Sequence, residues 1–432
     1  MKKLFLIFCC HICLCLSASA QSFNPTLANK LQNIIDSVKT ARNLKGISAC
    51  VIYPGMGTWK GVTGFSHSGI PINSNMEFGI GSNTKLFTGV LLLKLAENNL
   101  IQLDDSLHEY LPPYNNINPN ITIRQLLNHT SGLYDVTNVP GYPDSILSNP
   151  NRIFTAAEMM TWMQAPLFAP GTDWSYCNSN YLLAGMIAER VTGRSYVQLL
   201  HDSILTPLHL DSTFLDVYDN ILFPVAHPWQ AGTDNNSIPR KSLNSAAWTA
   251  GAMYSTSGEM TQWYQALMNG QVINSNSLNE MTKFVGSGSY GIGISRAIIS
   301  GRTVWQHGGT IWGGYNSSMM YDSASGVIVG VLINQLPAQA YQISAQLLTT
   351  IADYPLDTNN NDITIYPNPS NNYVQIDATS YTLKNIRVFN AKGQLLLESN
   401  ESTFSTKQLS AGTYFLRILT DKGTIVKKLI KQ

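Results

Sequence analysis

An α+β body followed by a small all-β tail is the fold class that this sequence predicts, and three observations predict it. Strand-like runs gather at the two ends of residues 21–354, with a mostly helical middle between them. A helix-forming pattern stands outside each group of strands. Beyond residue 362 only short strands and turns remain. The body is therefore expected to be one antiparallel sheet flanked by its N- and C-terminal helices and carrying a helical insert, with a cleft between sheet and insert.

The elements justify this in order. Residues 1–20, "MKKLFLIFCCHICLCLSASA", join a basic start at Lys2 and Lys3 to an apolar run ending in Ala18-Ser19-Ala20, which reads as a cleaved signal peptide with Gln21 as the mature start. The apolar stretch is short for a bilayer span, no later segment reaches that length, and Leu14 stands where a lipobox needs a small residue. Cys9, Cys10, Cys13 and Cys15 all fall in this segment, so Cys10-His11-Ile12-Cys13 is not read as a functional motif. Cys50 and Cys177 stay with the body, where they form a disulfide if the fold brings their backbones close and are otherwise two buried free thiols, the plainer reading.

Next, "NPTLANKLQNIIDSVKTARNLKG" spaces Leu27, Leu31, Ile34, Ile35 and Val38 as one helical face, and "ISACVIYPGMGTWKGVTGF" reads as two strands around Pro54-Gly55. Strand patterns return in "TVWQHGG", "GGYNSSMMY" and "GVIVGVLINQ", and a helix follows in "YQISAQLLTTIADY". The Asn-rich stretch over 355–362 is a linker, and 363–432 is a set of short strands with turns at Pro367-Asn368, Lys392-Gly393 and Lys422-Gly423, the pattern of a small β-sandwich. With 432 residues, 44% apolar content and a formal charge of +1, the chain can bury a large core and has no bias toward nucleic acid.

Three short stretches carry candidate chemistry. In "FGIGSNTKLFTGVLLLKLAENN", Ser82 and Lys85 stand three apart where a helical pattern begins, so the amine can sit over the hydroxyl and take its proton if burial lowers its pKa. In "GTDWSYCNSNYLLAGMIAER", Tyr176 and Asn178 lie two apart before another helix, on one side of an extended stretch: a phenol to relay a proton and an amide to hold a substrate amide. In "TVWQHGGTIWGGY", His307-Gly308-Gly309 follows a strand pattern and leaves room for another backbone along it. Taken singly, each has a plainer reading: an N-cap with a solvated Lys, a packing Tyr with a capping Asn, a hairpin with a surface His. Thr122 with Gln125 and Thr256 with Glu259 have capping-box spacing and read as scaffolding; His129, at the end of the first of these helices, either faces the cleft or, in the preferred reading, satisfies backbone carbonyls as a helix-terminal His outside the catalytic set.

The order and separation of the three stretches, with "TIRQLLNHTSGL", "FAPGTDWSYCNSNY" and "AGAMYSTSGEMTQW" between them, resemble the serine β-lactamase and penicillin-binding family, of the class C lactamase, DD-carboxypeptidase and esterase type, over Gln21 to Tyr354. That resemblance implies that Ser82 attacks a carbonyl, Lys85 and Tyr176 exchange the proton, Asn178 positions the substrate beside His307, Gly308 and Gly309, and the backbone N–H groups of Ser82 and Thr310 form the oxyanion hole. Water then cleaves the acyl-enzyme, with no cofactor or metal; the sequence has no HExxH helix and no G-x-S-x-G elbow for a Ser-His-Asp hydrolase.

Lactamases of this family usually carry Lys-Thr-Gly where this chain has His307-Gly308-Gly309. Imidazole holds a carboxylate less well near pH 7, and His at this position resembles the DD-peptidase, D-aminopeptidase and esterase members of the family more than the true β-lactamases, a resemblance that implies action on small esters or D-amino-acid-containing peptides, peptidoglycan fragments among them. A β-lactamase is the alternative, and a catalytically silent surface binding or sensor protein is the second. If His307 binds a carboxylate as imidazolium, specificity should fall as pH rises through its pKa; a flat profile from pH 5 to 8 would count against that role. The tail, with Tyr366-Pro367-Asn368-Pro369, Gly412-Thr413-Tyr414 and Lys427-Lys428-Leu429-Ile430 in order, resembles a type IX secretion C-terminal sorting domain. Its partner would be that secretion machinery, and its product a secreted or cell-surface protein.

Overall fold

The computed structural model describes residues 23–54, 56–354, 363–378, 381–390, 394–420 and 423–432. The predicted signal peptide, the linker, Gly55, the Lys392-Gly393 turn and Lys422 lie outside the described residues.

Helix α1 (Pro25–Ala41) starts where the Asn24 side chain caps Leu27 N–H and Pro25 supplies a preset φ. It buries Leu27, Leu31 and Ile35, the face that the spacing predicts. Strands β1 (Gly46–Tyr53) and β2 (Gly57–His67) form the expected antiparallel pair. The late strand patterns become β3 (Ser295–Ile299), β4 (Arg302–Ile311), β5 (Tyr315–Asp322) and β6 (Ile328–Ile333). They join β1 and β2 in one sheet of order β2-β1-β6-β5-β4-β3, extended at β2 by a two-residue edge strand at Ile70–Pro71. Every pairing in it is antiparallel.

Period-two alternation decides what each face of β1 meets. Ile47, Ala49 and Val51 enter the core shared with α1 and the last helix of the body, Ala340–Ala352. Ser48 and Cys50 face the other way, where Ser48 Oγ meets Ser257 Oγ at 2.9 Å and Cys50 Sγ accepts from Thr261 Oγ1 at 3.1 Å. The helical insert lies on that second face. Its elements that matter below are α2 (Thr84–Glu97), α3 (Ile123–Leu127), α4 (Asn178–Thr192), α5 (Arg240–Gly251) and α6 (Ser257–Met268), with Ala340–Ala352 as α7. Helix α2 buries 11 of its 14 residues, as an all-round apolar helix must.

Both capping predictions land on helix starts, one of them complete. Thr122 and Gln125 cap each other reciprocally at α3. Thr256 caps Glu259 N–H, but the Glu259 carboxylate turns to Ser212 N–H and Thr213 Oγ1 instead. Cys50 and Cys177 are both buried and free, as expected.

In the tail, β7 (Thr364–Tyr366), β8 (Tyr373–Asp377) and β11 (Thr403–Ser405) form one sheet, and β9 (Leu383–Asn390), β10 (Leu395–Ser399), β12 (Gly412–Thr420) and β13 (Gly423–Lys431) form another. Val374, Ile376, Ile386, Val388, Leu416 and Ile418 build a separate core between them, the arrangement of a small sandwich.

Candidate active site

From Met76 to Leu93 every residue is buried except Ser82. The 3₁₀ turn Gly81–Asn83 leads into α2, so Ser82 sits two residues ahead of the α-helix rather than in it. Three constraints fix this turn. Gly81 has φ +54°, and a Cβ there would lie 2.6 Å from Thr310 N, so only glycine lets α2 start this close to β4. Asn83 Nδ2 donates to Ser317 Oγ at 2.8 Å, and Ser317 Oγ donates to Ile80 O at 2.7 Å, tying the turn to β5. A Cβ on Gly309 would meet Ile80 O at 1.9 Å.

Lys85 is fully buried, and its Nζ donates to Ser82 Oγ at 3.2 Å, Asn178 Oδ1 at 2.7 Å and Ala250 O at 2.7 Å. Burial pushes its pKa down to about 7, against the pull of the Asp135 carboxylate. Half of the amine is thus neutral near pH 7 and able to accept a proton. The last turn of α5 supplies the Ala250 carbonyl through strained backbone: Trp248, buried, has φ 32° and ψ −122° inside the helix. Beyond this kink Thr249 O accepts from Thr88 Oγ1 at 2.7 Å, and Met253 N–H donates to Thr84 Oγ1 at 3.1 Å. The kinked segment therefore grips the first turn of α2 on both sides of Lys85.

Cys177 is extended (φ −149°, ψ 120°) ahead of α4, which sends Tyr176 and Asn178 to the same side, as the spacing predicts. The Lys85 ammonium lies 4.9 Å from the centre of the Tyr176 ring. Burial holds the Tyr176 phenol well above its usual range, an effect that the neighbouring Ser82 side chain opposes; the phenol oxygen itself completes no hydrogen bond. Asn178 is held at both ends. Its Oδ1 takes Lys85, and its Nδ2 and backbone N–H both donate to Asp135 Oδ2 at 2.9 Å. Asp135, which no motif in the sequence marks, is therefore the group that orients Asn178 and sets the field on Lys85.

His307 lies on β4, paired with Met319 of β5. From His307 to Ile311 β4 has a strand partner on one side only, because β3 ends opposite Gln306. The imidazole is buried; Nε2 meets Tyr290 Oη at 2.7 Å and Nδ1 meets Gly308 O at 2.6 Å. The carbonyl can only accept, so Nδ1 carries the proton and Tyr290 donates to Nε2. Burial and the nearby Lys85 push the His307 pKa down to about 4. A neutral imidazole with both nitrogens engaged gives no ionic anchor to a carboxylate at neutral pH, so the imidazolium reading is not supported.

His129 differs from its expected role. It is fully buried at φ +66°, and its Nδ1 accepts from Cys177 N–H at 3.1 Å and from Asn180 Nδ2 at 3.1 Å. It takes a backbone donor instead of serving backbone carbonyls. Its ring lies 4.4 Å from Tyr176 and 4.5 Å from Tyr290, so it supports the Tyr176-Cys177-Asn178 segment from below. Only its partner 48 residues away could have revealed this.

Ser82 stands between two pockets. One, about 500 Å³, runs along His307-Gly308-Gly309-Thr310 to Tyr176 and the start of α7; the other, about 130 Å³, lies toward α4 and α5. A hydroxyl, a buried amine at its titration midpoint, a free strand edge and two flanking pockets can together support acyl transfer.

Comparison with known proteins bears on the family and the fold. A family model described as Beta-lactamase matches residues 31–352, and one described as Secretion system C-terminal sorting domain matches residues 364–432. Protein flp of Staphylococcus aureus (strain NCTC 8325 / PS 47) is 37% identical over 142 residues, which make up 32% of this chain and 28% of that protein. The match thus spans under a third of that relative's length. Penicillin-binding protein 4 of Amycolatopsis lactamdurans is 29% identical over 217 residues, 48% of this chain and 55% of that protein. Among solved structures, a D-stereospecific amidohydrolase from Streptomyces sp. superposes with a TM-score of 0.64 at 28% identity, covering 73% of this chain and 96% of its own.

Proposed function

The chain belongs to the beta-lactamase family and ends in a secretion-system sorting domain; from that premise we propose that it is a secreted serine hydrolase acting through a Ser82 acyl-enzyme on small esters or D-amino-acid-containing peptides. The type IX route carries it to the cell surface or extracellular space. Among the described residues no helix is long and apolar enough to cross a membrane. The observation that carries the reading is the Lys85 amine, 3.2 Å from Ser82 Oγ with its pKa near 7.

In this mechanism neutral Lys85 takes the Ser82 proton as Oγ bonds to the substrate carbonyl carbon. The oxyanion accepts from Ser82 and Thr310 N–H, and Asn178 keeps Lys85 aligned while the substrate lies along His307-Gly308-Gly309. The tetrahedral adduct collapses as the leaving nitrogen or oxygen receives a proton through Tyr176. Water, activated by the same amine, then cleaves the acyl-enzyme. The similar Streptomyces protein is a D-stereospecific amidohydrolase, which supports the D-peptide side of this reading. β-Lactam hydrolysis is the alternative, and the neutral, fully bonded His307 weighs against it. The reactive groups stand in register, which weighs against a silent binding protein.

Intact-mass spectrometry of the mature protein after exposure to a fluorescent penicillin and, separately, to a fluorophosphonate tests the reading. A covalent adduct absent from Ser82→Ala is expected with the fluorophosphonate, and slow or negligible turnover with the penicillin. A folded wild type that neither reagent labels would remove the nucleophile assignment and favour the binding-protein reading.

A further inference from the structure

Charge is missing from the walls around Ser82. Among the described residues, no Lys, Arg, Asp or Glu lines either pocket. The larger pocket presents neutral hydrogen-bonding groups instead, Thr310, Asn316, Gln339 and Gln342 among them. The smaller pocket sets the apolar Leu182, Leu243, Ala247 and Trp312 beside the neutral polar Thr137, Asn178 and Asn244. The two charged groups close behind are already committed. Lys85 is spent on Ser82, Asn178 and Ala250, and Asp135 on Asn178 and Thr137. Arg42, at the exposed end of α1, donates to Gln342 Oε1.

Tyr176 lines the larger pocket and not the smaller. If the departing group receives its proton through Tyr176, it leaves into the larger pocket, and the acyl side chain occupies the smaller. A carboxylate in the first pocket would find amides and hydroxyls but no counter-ion, and a charged side chain in the second would be desolvated against Leu and Trp. A cavity of about 130 Å³ is close to the roughly 150 Å³ that holds a benzene ring. Leucine-sized and phenyl-sized groups match it.

We propose that the substrate is uncharged on both sides of the scissile bond: an apolar acyl residue seated against Leu182, Leu243 and Trp312, and a departing group that continues as an amide or ester instead of ending in a free carboxylate. This rests on the serine-hydrolase reading and narrows it to amidase, esterase or internal-peptide cleavage, away from carboxypeptidase action.

The test compares N-acetyl-D-leucyl-D-alanine with its C-terminal carboxamide, following cleavage of the Leu–Ala bond by mass spectrometry. The carboxamide should show at least a tenfold higher kcat/KM, and replacing D-leucyl by D-glutamyl should lower kcat/KM at least tenfold. Gln339→Lys, which adds a cation to the larger pocket, should raise the acid-to-amide ratio about tenfold. Arg42→Ala should leave that ratio unchanged.

Equal or faster cleavage of the free acid would overturn the proposal, and so would a selective loss of acid cleavage in Arg42→Ala, which would make Arg42 a carboxylate anchor. Fluorophosphonate labelling of Ser82 is run beside these assays. Labelling without turnover of the neutral peptides overturns the substrate class alone; absence of labelling in the folded protein overturns the hydrolase reading and this proposal with it.

Discussion

Lys85 and His307 are both buried basic side chains beside Ser82, yet burial leaves them in different states. Lys85 starts from an ordinary value of 10.5 and is pushed to about 7, so it becomes a base that titrates at working pH. His307 starts from 6.5 and the same kind of desolvation carries it to about 4, with Lys85 itself adding to the push. Their partners differ in the same sense. Lys85 is surrounded by acceptors with Asp135 beyond them, whereas His307 donates one proton to Gly308 O and accepts one from Tyr290. Burial converts a lysine into a usable base and a histidine into a fixed neutral strut.

The largest effect that separates the two residues is removal of the reactive pair. Ser82→Ala and Lys85→Ala should each lower kcat/KM by about 10⁴-fold or more, without adding to one another, because groups that act as a unit fail together. Lys85→Arg should be equally inactive, since guanidinium keeps its proton. A residual rate within tenfold of wild type in either alanine variant would dissolve the contrast.

The pH profile sharpens it next. With neutral Lys85 as the proposed base, kcat/KM should rise with pH through about 7, and His307→Gln should leave that limb in place. A limb near 4 that vanishes in His307→Gln would reverse the assignment. Stability carries the same signature. The folded pKa of Lys85 lies below its ordinary 10.5, so between about 7 and 10.5 the unfolded chain binds more protons and stability rises with pH. The slope is at most about 1.4 kcal/mol per pH unit, the stabilisation is lost as pH falls to about 7, and Lys85→Met should lack the slope in denaturant titrations.

His307→Gln itself should cost about tenfold in kcat/KM, evenly from pH 5 to 8, because it disturbs the Tyr290 and Gly308 contacts and removes no charge. A loss confined to acidic pH would restore the imidazolium as a carboxylate ligand. Comparison of wild-type and variant kcat/KM at each half unit of pH decides between them.

The sequence exposed these two residues unequally. The Ser82–Lys85 pair was legible because i and i+3 neighbours meet across a single helical turn, the 3₁₀ turn Gly81–Asn83 running into α2 here, and Tyr176 and Asn178 because alternation in extended backbone is equally local. The alternating strands of β1 and the terminal helices were legible for the same reason. Non-local features were not. Ala250 O reaches Lys85 only through the positive φ of Trp248, which nothing in a Trp residue announces. Asp135 and His129 act through partners 43 and 48 residues away, and the charge state of His307 follows from desolvation by elements distant in sequence. The tail showed its strands, since turn residues and alternation are local, but how seven of them divide into two sheets was not readable from spacing.

The smallest effect concerns the two glycines after His307, which sit side by side on β4 under opposite constraints. A Cβ on Gly309 would lie 1.9 Å from Ile80 O, where no flexible side chain can yield, so Gly309→Ala must push β4 away from the Ser82 turn and lose both stability and activity. A Cβ on Gly308 would meet nothing nearer than Ser317 O at 3.7 Å, and the residue is exposed on the strand. Gly308→Ala should therefore fold with unchanged or slightly raised stability, since alanine narrows the unfolded ensemble. If the substrate backbone lies along this edge, the added methyl should still raise KM about threefold with kcat unchanged. An unaltered KM would move the substrate off the strand and leave Gly308 with no part in binding, while Gly309 kept its structural role.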